Sequence, residues 1–156
     1  MKLINVLLLT ALTILTSNGE ELKYPQRLQN SAVNSVYIIY PKEFVKSAEQ
    51  LQASLTSSLK VKLIEDVEAV KGRAQGLDEK YKNAPVIIIG NLGQNQALLQ
   101  LYARFMTNAD ALTPGKDGIL IQQIPNRNIP GSHAVIIAGS SVETTQLAVR
   151  KYIAAQ

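Results

Sequence analysis

PVIIIGNLGQNQALLQLY, residues 85–102, decides how the rest of the chain is read. Val86, Ile87, Ile88 and Ile89 form an unbroken β-branched run, as expected of a strand buried on both faces. Gly90 ends the run. The residues after it have helical spacing, which predicts a helix with Ala97, Leu98, Leu101, Tyr102 and Phe105 on one face. A strand, a glycine and a helix can form either a phosphate cradle or a plain structural corner. A dinucleotide fingerprint needs three glycines as G-x-G-x-x-G, so that backbone can approach a pyrophosphate at the helix N-terminus. Here Gly90-Asn91-Leu92-Gly93 lacks the close glycine pair, and no Lys-Ser/Thr follows as in an ATPase loop. Asn91 with Gln94 three residues later has the spacing of a capping box, which satisfies helix amides without a ligand. The same grammar recurs in VIIAGSSVE, residues 135–143, with Ser140 and Glu143. Two such corners in one chain point to architecture.

Working outward, the pattern alternates strands and helices. Val36–Tyr40 is a second continuous apolar run, and Pro41 suits the first turn of a helix. Phe44, Ala48, Leu51, Leu55 and Leu59 then recur every three or four residues along one stripe. Lys60–Asp66 alternates Val61 and Leu63 with Lys62 and Ile64, as an outer strand does. From Val67 to Ala84 the helical spacing of Val67, Val70, Ala74, Leu77 and Tyr81 is interrupted by Gly72 and Gly76. Each glycine costs roughly 1 kcal/mol in a helix, so a broken helix or long loop is expected. The turn-rich segment 107–118 precedes the strand ILIQQIP (119–125), and 134–138 is a third doubly buried run. A closing helix should turn Thr145, Ala148, Val149, Tyr152 and Ile153 inward. This predicts an α/β fold, a mixed and mostly parallel sheet of about five strands sandwiched by helices. Val36–Tyr40, Val86–Gly90 and Ala134–Ala138 would be its central strands. The link from Ile124 to Ala134 is too short for a helical crossover, so those two strands should pair antiparallel.

The N-terminus carries a different signal. MKLINVLLLTALTILTSNG has Lys2, an apolar run from Leu3 to Leu15, and small residues at Ser17 and Gly19. That is the form of a secretory signal peptide over 1–19, too short to span a bilayer, which takes about 20 apolar residues. Its removal would take Lys2 from 16 basic residues and leave 15 against 12 acidic ones. Residues 20–35 form a polar lead-in to a domain over 36–156. A secreted, periplasmic or cell-surface location follows, with no stable membrane anchor once the signal is cut. The absence of cysteine is compatible with export and excludes a lipid-modified N-terminus or a cysteine metal site.

Chemistry-bearing patterns are sparse. Basic and acidic residues alternate through 42–82 without the concentrated charge and interleaved aromatics of a nucleic-acid reader, so no nucleic acid is expected. His133 is the only histidine, placed in a Gly-Ser-His turn, and has no histidine partner for a metal. Ser132 beside it makes no triad, and no G-x-S-x-G elbow is present. Asp110, Asp117 and Glu143 lie near strand ends, where a turn or a cap explains each. Neither a catalytic residue, nor a metal ligand, nor a cofactor is expected. In open α/β sheets ligands bind beyond the carboxyl ends of parallel strands, which makes Asn91, Gly93, Gly139 and Ser140 the candidate binding residues.

The second half of the chain also carries a resemblance. Its features are Val86–Asn91, Leu101-Tyr102-Ala103-Arg104, Ala109-Asp110-Ala111, Pro114-Gly115-x-x-Gly118, a strand ending in Pro125-Asn126, and an apolar strand into Gly139-Ser140. Over roughly 70 residues these resemble an N-terminal module of large secreted bacterial polysaccharide-processing proteins, among them heparinase II/III-like chains. More distantly they are similar to the non-catalytic first domain of family 20 hexosaminidases and α-glucuronidases. The resemblance implies a mixed α/β module packed beside a separate catalytic domain, so a catalytic domain or protein partner is expected, and polysaccharide is a possible ligand. A free-standing glycan or small-molecule binding protein is the alternative. Archaeal surface-layer proteins have a similar apolar-strand ending, which implies a structural cell-surface role instead.

Overall fold

The structure is a computed structural model that describes residues 35–56, 60–70, 77–82, 84–110, 112–125 and 133–156. The expected signal peptide, the lead-in up to Asn34, and Leu59, Gly72, Ala74, Gly76, Asn126 and Ser132 lie outside the described residues. Five strands build one sheet: β1 (Ser35–Tyr40), β2 (Lys60–Glu65), β3 (Val86–Ile89), β4 (Ile119–Pro125) and β5 (His133–Gly139). Their spatial order is β2-β1-β3-β5-β4. The β1–β2, β1–β3 and β3–β5 pairs are parallel, and β4–β5 is antiparallel. The three apolar runs therefore occupy the three central positions, and the short link after Ile124 joins an antiparallel pair as its length requires.

Helices cover both faces. On one face lie α1 (Val45–Leu55), entered through a 3-10 turn at Lys42–Phe44, and α5 (Val142–Ala154). They bury Phe44, Ala48, Leu51, Leu55, Ala148, Val149 and Tyr152 against Val36, Ile38, Ile87, Ile89, Ile121, Val135 and Ile137. On the other face lie α2 (Asp66–Ala69), α3 (Glu79–Lys82) and α4 (Gln96–Tyr102). There Ala69, Tyr81, Ala97, Leu98 and Leu101 pack on Ile39, Ile88, Leu120, Ile136 and Ala138. Alternate residues of one strand serve opposite layers because side chains alternate along a pleated strand. Each fully buried Ile contributes about 1.5–3 kcal/mol through area removed from water.

Two expectations need correction. The face Ala97–Phe105 is not continuous, because α4 ends at Tyr102 and Phe105 takes φ 55°. Tyr102 is 41% exposed and Phe105 is 98% exposed, so neither belongs to the core. The break expected between Val67 and Ala84 is present, since the described residues there belong to two separate four-residue helices, α2 and α3, but the inward placement of Val67 is not. Val70, Leu77 and Tyr81 are buried as their spacing implied, but Val67 faces solvent.

Candidate functional site

At the β3–α4 corner the side chains of Asn91, Asn95 and Asp66 accept from backbone amides around the glycine turn. Gly90 leaves the strand at φ 133°, and the chain makes one further turn before the helix begins. The N-cap is Asn95, which corrects the expected Asn91/Gln94 pair. Asn95 Oδ1 accepts from Leu98 N at 3.0 Å, and its Nδ2 donates to Ile89 O at 2.8 Å. One buried side chain thus ties the end of the strand to the start of the helix. Asn91 instead closes the intervening turn, accepting from Gly93 N at 3.0 Å through Oδ1. Its carbonyl accepts from the amides of Gln94 and Asn95. The amide of Gln96, at the first position of α4, donates to Asp66 Oδ2 at 2.7 Å. Asp66 is buried and comes from the start of α2, thirty residues away. A carboxylate already holds the place where a phosphate would sit, and its charge opposes a second anion there.

The β5–α5 corner follows the same logic in a shifted register. Ser141, not Ser140, is the N-cap, and its partner is Thr144, not Glu143. Ser141 Oγ accepts from Thr144 N while Thr144 Oγ1 accepts from Ser141 N at 2.8 Å. Glu143 accepts from Ser141 Oγ at 2.8 Å. Its own backbone amide and that hydroxyl hold the Glu143 carboxyl below its ordinary pKa. Ser140 stays exposed on the strand-end side of the corner.

Between the two corners the sheet opens. The chain leaves β3 for the α4 face and leaves β5 for the α5 face, so adjacent strands diverge at their carboxyl ends. The gap between β1 and β3 is filled, because a Cβ on Gly90 would meet Asn95 and Pro41 at 3.1 and 3.4 Å. The gap between β3 and β5 is a cleft of about 690 Å³. Asn91, Gly93, Gly139 and Ser140 all line it, with Ala109 and Ala138 at its buried base and Leu99 and Leu112 at its rim. All four candidate residues thus share one site. Asn95 and Asp66 stand behind it and hold the corner in place.

The third wall comes from residues 109–110 and 112–116. Asp110 Oδ1 accepts from Leu112 N at 2.7 Å and Thr113 N at 2.6 Å, and these amides hold its carboxyl below the ordinary value. Gly118 permits the return to β4, since a Cβ there would collide with the carbonyl of Pro114. The wall is braced from below by buried Gln122, whose Oε1 accepts from Thr107 Oγ1 at 2.9 Å and Asn108 N at 3.0 Å.

Asp110 and Lys116 are the charged side chains of the lining. Asp110 is engaged by its own loop, Asp117 sits in a turn at φ 57°, and Glu143 belongs to the α5 cap. Among the described residues no three His, Cys, Asp or Glu side chains group as a metal site would require. His133 opens β5 opposite Pro125, and its side chain lies outside the described residues. No helix among the described residues is long and apolar enough to cross a membrane. Compared with protein-family models and with curated proteins, the chain matches none.

Proposed function

We propose that the chain is a secreted, non-catalytic accessory module of a carbohydrate-processing protein, and that it works by binding through the cleft between β3 and β5. The observation that carries this reading is the rim. Leu99 is 45% exposed and Leu112 is 84% exposed, both at the mouth of the cleft. Water-facing leucines beside a concave site are what a domain presents when it packs on a partner. Tyr102, Phe105 and Met106 extend the exposed apolar surface at the end of α4. The carbohydrate context rests on the resemblance of residues 85–153 to modules of polysaccharide-processing chains, and export rests on the signal-like N-terminus.

A second reading has its own observation. The cleft volume lies within the roughly 300–1,000 Å³ of small-molecule sites, and Asn91, Ser140 and Lys116 bring polar groups to it. On that reading the occupant is a glycan or small molecule. Two measurements on the parent and on Leu112→Asp separate the cases. A photoreactive amino acid at position 112, used in the producing cell, should crosslink to a carbohydrate-active protein. Calorimetry with neutral and acidic oligosaccharides should show no saturable heat. Saturable binding lost in Leu112→Asp moves the assignment to the ligand-binding reading, and failure of both measurements removes the cleft as a binding site.

A further inference from the structure

The end of α4 displays one side chain in a position that disfavours it twice. Met106 N donates to Leu101 O at 3.0 Å, and Phe105 N donates to Tyr102 O at 2.9 Å. That pair of bonds closes a helix around a residue in the left-handed region, a place usually taken by glycine or asparagine. Here the residue is Phe105, at φ 55°. A bulky side chain in that region is a steric outlier. It gains no packing in return, since Phe105 is 98% exposed. Neither the turn nor the core calls for phenylalanine there. A residue held in strain with no use inside the fold points to a use outside it.

The neighbours of Phe105 indicate what it meets. Tyr102-Ala103-Arg104-Phe105-Met106 are exposed without a break. Tyr102, Phe105 and Met106 lie outside the cleft lining, so this tip projects beside the concave site and is not its wall. Across residues 90–109 Arg104 is the only charged residue, and none is acidic. Tyrosine, phenylalanine and methionine around one arginine is a composition suited to the boundary of a lipid bilayer, where the arginine head reaches the phosphates. A projecting point also suits a fluid surface, which needs no complementary pocket. The formal charge of +4 supplies the matching attraction to anionic lipid, and it stays positive without Lys2.

We propose that the tip 102–106 is a reversible contact with an anionic membrane surface. Phe105 and Met106 enter the interface between headgroups and acyl chains, and Arg104 stays at the phosphates. One short apolar contact assisted by charge binds weakly and lets go, unlike a spanning helix. The contact holds the domain at a lipid surface and leaves the neighbouring cleft open to its own occupant. It stands on the helix end alone and is independent of what the cleft binds.

The chain has no tryptophan, so Phe105→Trp places a fluorescent reporter at the tip alone. Its emission should move to shorter wavelength with phosphatidylglycerol–phosphatidylcholine vesicles, and brominated acyl chains should quench it. Binding to phosphatidylcholine vesicles alone should be weaker by about tenfold or more, and rising salt should remove that difference. When the purified protein is sedimented with the mixed vesicles, Phe105→Gly should bind about tenfold or more weakly than the parent. The same variant should melt no lower than the parent, because glycine relieves the left-handed strain. Leu147→Gln, at an exposed leucine of α5 on the opposite layer, should bind as the parent does. A reporter indifferent to both vesicles overturns the proposal and leaves the tip to a protein partner. Undiminished sedimentation of Phe105→Gly overturns it too, since the lipid contact then lies elsewhere. So does a Phe105→Gly that melts well below the parent, which would show a packing role.

Discussion

At Gly90 the chain leaves β3 with φ 133°, a conformation that L side chains rarely adopt. At Gly139 it leaves β5 in an ordinary conformation, but directly beneath the backbone of Thr144 and Thr145. The first glycine supplies a dihedral angle and the second supplies space. Their caps differ in the same way. Ser141 closes its corner locally, two residues after the glycine, with Thr144 as reciprocal partner. Asn95 closes its corner five residues on, and Asp66 assists from another part of the chain. Two segments with one sequence grammar thus reach the same strand-to-helix turn by different physics. Only at the β3–α4 corner does a side chain from a distant part of the chain bind a helix amide.

The largest effect should come from the strands on which both corners depend. Ile88 and Ile137 are fully buried in opposite layers. Ile88→Asp and Ile137→Asp should each abolish folding, since an unpaired buried charge costs several kcal/mol. Circular dichroism melts check this, and a melting temperature within a degree or two of the parent would sink the central-strand assignment.

The glycines separate the corners next. At Gly139 the cost should grow with side-chain size, from about 1–3 kcal/mol for Ala to loss of the fold for Val, as overpacking predicts. At Gly90 dihedral strain costs about 1–3 kcal/mol for any L residue, and size adds less than at Gly139 because a Cβ there meets side-chain carbons at 3.1 and 3.4 Å, not backbone at 2.3 Å. Denaturant unfolding of Ala and Val variants at both positions measures the contrast, and equal size dependence would erase it.

The caps come third. Asn95→Ala should cost about 2 kcal/mol, the upper end for a lost cap, because the Ile89 carbonyl also loses its partner. Asn91→Ala removes only a turn bond at an exposed amide and should stay within about 0.5 kcal/mol. A larger loss at Asn91 than at Asn95 would restore the capping box expected from sequence.

Much of this was legible in the chain. Continuous β-branched runs placed β1, β3 and β5 at the centre, because only doubly covered strands tolerate such runs. The brief link after Ile124 gave the antiparallel pair. What failed were the ends of elements. Helical spacing continues through Tyr102 to Phe105, but α4 stops at Tyr102, so a pattern of period 3.6 outran the helix that justified it. Cap register failed where several capping residues stand close together, as with Asn91 and Asn95 or Ser140 and Ser141. Asp66 left no local signal at all, since its contact spans thirty residues. Asn91, Gly93, Gly139 and Ser140 were readable as strand ends. Their shared cleft was not, because its third wall depends on Gln122 holding Thr107 and Asn108.

The smallest expected effect is acid sensitivity. Asp110 and Glu143 are both held below their ordinary values of 3.8 and 4.5 by hydrogen bonds to the charged form. A carboxyl whose folded pKa is lowered stabilises the fold above its unfolded value, and that stabilisation is lost as pH falls through the folded value. Stability should therefore decline below about pH 4.5, the ordinary value of Glu143. Asp110→Asn should flatten the lower part of that decline and Glu143→Gln the upper part. Melting temperatures from pH 7 to 2 check it, and an unchanged acid limb in both variants would remove these groups from the account.

The central claim is that Asn95 and Asp66 close the end of α4, so the glycine turn after β3 holds no phosphate. Thermal melts with ATP, NAD and sugar nucleotides at rising concentration test it most directly. The account predicts no shift at millimolar concentration. A melting temperature that climbs with the logarithm of nucleotide concentration, as binding to the folded state requires, and that stops doing so in Gly93→Val, would contradict it.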